Sequence, residues 1–115
     1  MSWVMMALRC GAVEATRSRR CRMREVLEVV MASGFQSPYF PFKATAIAKR
    51  DFEQHFSVDL LVKDQTLMLE EAASLRVPMP GLSALREVFQ AARAQGWGQE
   101  DIAAVYKVIE KNAGL

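Results

Sequence analysis

Phe56-Ser57-Val58-Asp59-Leu60-Leu61-Val62-Lys63-Asp64-Gln65-Thr66-Leu67-Met68-Leu69-Glu70-Glu71-Ala72-Ala73-Ser74-Leu75 runs straight into Arg76-Val77-Pro78-Met79-Pro80-Gly81. Leu60, Leu61, Leu67, Met68, Ala72 and Leu75 fall on one stripe of a 3.6-residue period, so the stretch predicts an amphipathic helix. Pro78 and Pro80 cannot continue a helix, which places its end near Leu75 or Arg76. The helix is then about eighteen residues long, roughly 27 Å at ~1.5 Å per residue. Lys63 and Asp64 ride on its second turn, where a rigid element can carry a functional site. Adjacent residues on a helix point about 100° apart and do not pair face to face, so the plainer reading of the two is a solvated polar surface.

Downstream, Leu82, Leu85, Val88, Phe89 and Ala92 mark another helix, which Gly96-Trp97-Gly98 stops. Gln99-Glu100-Asp101 then places acids at the start of a last helix, favourable against its dipole, with Ile102, Val105, Tyr106 and Ile109 as its stripe. Lys107 and Lys111 suit its other pole. Upstream, Val26, Leu27, Val29, Val30 and Met31 predict a short helix that stops at Ser33-Gly34, with Gly34 as a left-handed cap. Ser37 before Pro38 reads as an N-cap with proline at the first helical position. Pro41 limits regularity there, so a short, irregular helix to about Ile47 is expected. Residues 49–55 are a polar connection. No segment alternates as a strand does. The expected fold is all-α, a small bundle of four to five helices.

The 115 residues, 51% hydrophobic and 24% charged, bound the chain to one small globular domain. No apolar run nears the ~18–20 residues that span a bilayer, so no membrane partner is expected. Cys10 and Cys21 with the lone His55 cannot build a tetrahedral zinc site, and reduced, cytoplasmic thiols are the default. The net charge of +2 hides an asymmetry. Residues 1–24 hold six arginines against Glu14, a net of +5, and the rest nets −3. Residues 1–23 therefore read as a basic tail, disordered or marginally helical, ahead of a helical domain over 24–115. That domain is mildly acidic, which argues against nucleic acid as a partner.

The residues alone show no active centre. There is no Gly-rich phosphate loop, no Ser/His/Asp order and no paired histidines at metal spacing. His55 reads as solvent-facing or packing. Phe35, Phe52, Phe56 and Phe89 read as core.

A set of landmarks adds to this. An aromatic at Phe56, Lys63-Asp64 on a long helix, the turn Val77-Pro78-Met79-Pro80 and the turn Gly96-Trp97-Gly98-Gln99-Glu100-Asp101 occur in a fixed order. Together they resemble the C-terminal helical domain of the β-hydroxyacid dehydrogenases, the 3-hydroxyisobutyrate dehydrogenase family, over about Arg24 to Asn112. The fold this implies is like the C-terminal domain of 6-phosphogluconate dehydrogenase. The resemblance implies that Lys63 contacts a nicotinamide cofactor, NAD or NADP, from the helical domain. It also implies that Asp64 and Phe56 lie near the cofactor and the substrate pocket. A cation on a rigid helix suits this, since it can meet the cofactor across a cleft and complement an anionic hydroxyacid.

The departures are as informative. Members of that family open with a Rossmann domain carrying a Gly-x-Gly-x-x-Gly loop. They also carry a catalytic lysine in a Gly-x-x-Gly-x-x-x-Lys-x-x-Asn segment on the linking helix. Neither is present, and the first lysine is Lys43. The expectation is a C-terminal fragment, from a truncated or frameshifted gene, that is inactive alone. A split enzyme whose Rossmann half is a separate partner chain is one alternative. A helical interaction domain that has lost the chemistry is another. In either fragment reading an apolar face stays open, and a homo-oligomer is expected.

Overall fold

A computed structural model describes residues 17–115, with side chains from Arg24 onward. Its helices are α1 (Arg17–Met31), α2 (Tyr39–Lys49), α3 (Val58–Ser74), α4 (Pro80–Ala94) and α5 (Val105–Asn112), with a 3-10 turn at Ile102–Ala104 before α5. Among the described residues there is no strand, only an isolated bridge between Ser57 and Asp101. The fold is all-α. Helix α1 opens at Arg17, inside the stretch read as a tail, and residues 1–16 of that tail lie outside the described residues. The chain divides into two compact units, residues 1–44 and 45–115.

In the first unit, α1 stops through Ser33, not Gly34. The Ser33 hydroxyl donates to the Val30 carbonyl at 2.6 Å and accepts from the Phe35 N–H at 3.2 Å. Gly34 is not among the left-handed residues, so the expected glycine cap is replaced by this local hydroxyl turn. At the start of α2 the Phe40 N–H donates to the backbone carbonyl of Ser37 at 3.0 Å. Pro41 falls in the first turn, where an N–H has no helical acceptor anyway. The helix is therefore regular and runs on to Lys49, past the irregular piece expected to Ile47. Phe35, expected in the core, is 88% exposed.

The second unit holds the core. Val58 and Val62 of α3, Phe89 and Ala92 of α4, Ala104, and Val108 of α5 are buried together. Phe52, Leu61, Val88, Trp97, Ile102 and Val105 pack against them. The Lys107 ammonium lies 4.8 Å from the Phe52 ring centre and 4.4 Å from that of Trp97, and pairs with Glu100. This cation sits between two aromatic rings while its charge is met by a carboxylate. Arg50 ends α2 in the left-handed region, φ 56°, and clasps Glu110 with Nη1 at 2.8 and 2.9 Å. Next to that pair, burial and then the charge of Glu110 raise Tyr106 above the usual 10.0.

The faces turn out differently from the stripes. Helix α3 buries Val58, Val62, Gln65 and Ala72. Of the six stripe residues only Ala72 is buried and Leu61 half-buried, while Leu60, Leu67, Met68 and Leu75 are exposed. In α5 the buried residue is Val108, preceded by Ala103 and Ala104, whereas Ile109 is exposed. A 3.6-residue period locates a stripe but does not say which stripe meets the core.

Candidate functional site

Helix α3 is rigid because both of its ends are bonded. At the N-terminus Ser57 is the cap, its hydroxyl accepting from the Leu60 N–H at 3.2 Å. Just ahead of it, the loop is clasped by the turn before α5. The buried Asp101 carboxylate accepts from the N–H groups of His55 and Phe56 through Oδ1, each at 3.2 Å, and from Ala103 through Oδ2 at 2.9 Å. Backbone bonds complete the clasp: Val58 N–H to Glu100 O at 3.0 Å, Asp59 N–H to Gly98 O at 2.9 Å and Ile102 N–H to Phe56 O at 2.9 Å.

Each residue of the Gly96, Gly98, Asp101 turn has a distinct task here. Gly96 takes φ +85°, which a side chain disfavours. At Gly98 an added Cβ would stand 2.5 Å from Asp59 Oδ1, so a side chain there would have to push the Asp59 carboxylate off Arg93 and Gln99. Asp59 in turn accepts from Arg93 Nε at 2.6 Å and Gln99 Nε2 at 2.7 Å. With Gln90 and Ala94, these groups line a shallow cleft of about 530 Å³. Local sequence pattern does not single out Asp59, Arg93 or Gln99 as a group, because these pairs join positions 34 and 40 apart. No local pattern marks such a pair.

The three residues singled out from the resemblance are placed as follows. Lys63 and Asp64 are brought together, Nζ lying 3.3 Å from Oδ1, with side chains 61% and 46% exposed. Contrary to the expectation for adjacent helix positions, the long lysine side chain reaches its neighbour. Phe56 belongs to another element, the clasped loop, and is half-buried. It stands seven positions ahead of Lys63, roughly 10 Å along the axis at ~1.5 Å per residue. At ~100° per residue, Leu60, Lys63, Asp64, Leu67, Met68 and Leu75 share an arc of about 140°, so the ion pair lies inside an apolar outward face.

Lys63 offers N–H donors of the kind the polar groups of a nicotinamide cofactor accept, and none of the three residues lines the cleft at Asp59, Arg93 and Gln99. The ammonium has three donors, and the Asp64 carboxylate stands 3.3 Å from it. Leu60 and Leu67, beside Lys63 on the same face, are exposed. Among the described residues no group of three His, Cys, Asp or Glu is arranged to hold a metal, and no helix is long and apolar enough to cross a membrane.

Comparison with known proteins bears on the same features. The family described as NAD-binding of NADP-dependent 3-hydroxyisobutyrate dehydrogenase matches residues 1–109, so the match opens ahead of Arg24, where the sequence resemblance begins. The 2-(hydroxymethyl)glutarate dehydrogenase of Eubacterium barkeri is 39% identical over 69 residues, covering 60% of this chain and 23% of its own length. The cytokine-like nuclear factor N-PAC of Anopheles gambiae is 33% identical over 85 residues, covering 74% of this chain and 15% of that protein. The crystal structure of 3-hydroxyisobutyrate dehydrogenase from Salmonella typhimurium superposes with a TM-score of 0.69 at 30% identity, over 75% of this chain and 30% of that one. The chain thus spans less than a third of the length of these relatives. With an all-helical fold, the clasped α3 and a match over nearly its whole length, the chain belongs to the NAD-binding domain family of the NADP-dependent 3-hydroxyisobutyrate dehydrogenases.

Proposed function

We propose that this chain is the cofactor-contacting helical half of an NAD(P)-dependent 3-hydroxyacid dehydrogenase or semialdehyde reductase, in a reducing, cytoplasmic setting. The observation that carries the reading is Lys63, an exposed ammonium on a helix bonded at both ends and set in an apolar face. Lys63 would reach the nicotinamide cofactor, and Asp64 would hold the lysine in position. Phe56, its backbone N–H anchored by Asp101, would lie near the cofactor and the substrate. The cofactor supplies the hydride when bound. The groups of this chain orient it and leave proton transfer to a residue elsewhere, so the chain alone is inactive. A Rossmann-bearing partner would complete the site, and the outward face of α3 gives it an apolar surface to meet.

Titration of the purified chain with NADH and with NADPH, followed by cofactor fluorescence, tests this. Saturable binding that Lys63→Ala weakens at least tenfold is expected. Absence of binding up to millimolar cofactor for both would overturn the reading. A second reading, supported by the exposed apolar residues Leu60, Leu67, Met68 and Leu75, is a helical domain that serves protein interaction without dehydrogenase chemistry. Full retention of binding in Lys63→Ala would exclude Lys63 from the cofactor site without deciding between the two.

A further inference from the structure

Charge and exposed aromatic rings divide the molecule along the same line. Residues 1–44, the first compact unit, hold six arginines and Lys43 against Glu14, Glu25 and Glu28, a net charge of +4. Residues 45–115 hold eight arginines and lysines against ten acids, a net of −2. The acidic balance that argues against nucleic acid therefore belongs to the second unit alone. The rings follow the same division. In the first unit Phe35 is 88% exposed, and Tyr39, Phe40 and Phe42 are between 41 and 53% exposed. In the second, Phe52, Phe56, Phe89, Trp97 and Tyr106 are all buried or half-buried. Four exposed rings within eight positions are a patch, not the single apolar residues that any surface carries.

We propose that the first unit binds single-stranded nucleic acid, with Phe35, Tyr39, Phe40 and Phe42 stacking on bases and the unit's surplus positive charge neutralising phosphates. Every base has a π face, so such a surface holds a strand without reading its sequence. A duplex keeps those faces inside its own stack, which makes the single strand the occupant that fits. Lys43 sets the two chemistries side by side. Its ammonium lies 5.6 Å from the Tyr39 ring centre and 4.9 Å from that of Phe42. A strand alternates flat bases with phosphates and matches a cation placed among rings. A bilayer does not, because those rings could not enter hydrocarbon without taking the charge with them. None of these residues belongs to α3, so the inference stands whether or not the proposed function holds.

Fluorescence anisotropy of a labelled oligothymidylate of about 12 nucleotides, titrated with the full chain, tests this. Saturable binding that weakens at least about tenfold between about 50 and about 200 mM salt is expected. Phe35→Ala and Tyr39→Ala are each expected to weaken it about fivefold or more. Both side chains are exposed, so the helical circular dichroism spectrum should stay that of the wild type. Inorganic polyphosphate, which has charge but no bases, is expected to bind the wild type and Phe35→Ala equally. Absence of oligonucleotide binding overturns the proposal. So does oligonucleotide affinity that both alanine variants leave unchanged, since charge alone then accounts for it. An equal loss toward polyphosphate in Phe35→Ala also overturns it, because the ring then acts without a base. Binding to phosphatidylserine–phosphatidylcholine vesicles without binding to the oligonucleotide makes the partner a membrane surface instead. Cofactor titration of Phe35→Ala is expected to match the wild type, so the two proposals fail independently.

Discussion

The two faces of α3 are built in opposite ways. The inward face buries Val58, Val62, Gln65 and Ala72, small or polar side chains. The outward face presents Leu60, Leu67, Met68 and Leu75, the larger apolar ones. A helix serving only its own small domain would be the reverse, since burial stabilises by about 25 cal/mol per Å² of apolar surface. The difference teaches that α3 is shaped for two contacts. The small inward residues let α4 and the 3-10 turn approach closely, and the large outward ones are left for a surface outside the described fold. On the inward side, Gln65 buries its Oε1 without a hydrogen-bond partner among the described residues.

The largest effect is expected where the inward side is anchored. Asp101→Ala removes the acceptor of three N–H groups at a site 1% exposed. Each buried unpaired donor costs about 1–3 kcal/mol, and partial relaxation keeps the total below a simple sum. A loss of about 3 kcal/mol in urea unfolding is expected, with the entry of α3 loosened. A loss under about 1 kcal/mol would mean that the backbone bonds to Glu100 and Gly98 suffice to hold the clasp.

A smaller effect separates the two faces directly. Val62→Ala, at a site 3% exposed, is expected to cost about 2 kcal/mol by lost burial and the cavity left behind. Leu67→Ala removes more apolar volume, yet at 56% exposure it is expected to cost at most about 0.5 kcal/mol in dilute solution. Equal losses, measured by urea unfolding at low concentration, would break the comparison. A cost at Leu67 that grows with protein concentration would sharpen it, because association stabilises by mass action.

This contrast also explains what was legible in the sequence. Periodicity, the Pro78–Pro80 stop and the Gly96–Gly98 stop located α3, α4 and α5 to within a few residues, because those signals are local. The orientation of the faces was not local. Helix α3 carries two apolar stripes, and the more hydrophobic one, which periodicity favours for the core, faces outward. The Gly98 and Asp101 landmarks were visible as a pattern, but their tasks depend on Asp59, Phe56 and His55 some forty positions away. Gly34 is the stronger sequence signal for the stop of α1, yet Ser33 makes the stop with its hydroxyl. Lys63 and Asp64 stand out only through the order and spacing of landmarks, since nothing in the pair itself distinguishes it.

The smallest expected effect concerns how the two helix ends that carry arginine are held. Arg50 and Arg76 both sit in the left-handed region, at φ 56° and 58°, directly after α2 and near the end of α3. That conformation costs a side-chain-bearing residue roughly 1–2 kcal/mol, and glycine avoids it at some loss of chain entropy on folding. At Arg76 the chain turns through the Arg76 N–H to Ala73 O bond and the Val77 N–H to Ala72 O bond, both made by backbone alone. Arg76→Gly keeps them, so it is expected to raise stability by about 0.5 kcal/mol. Arg50 makes the same kind of backbone turn, Asp51 N–H to Ala46 O at 2.9 Å, but its guanidinium also holds Glu110. Arg50→Gly removes that ion pair, whose exposed geometry is worth up to about 1 kcal/mol. The relief and the loss then cancel, and no net gain is expected. Thermal unfolding of the two variants side by side checks this, and a stabilised Arg50→Gly would mean that the Arg50–Glu110 pair contributes nothing to joining α2 and α5.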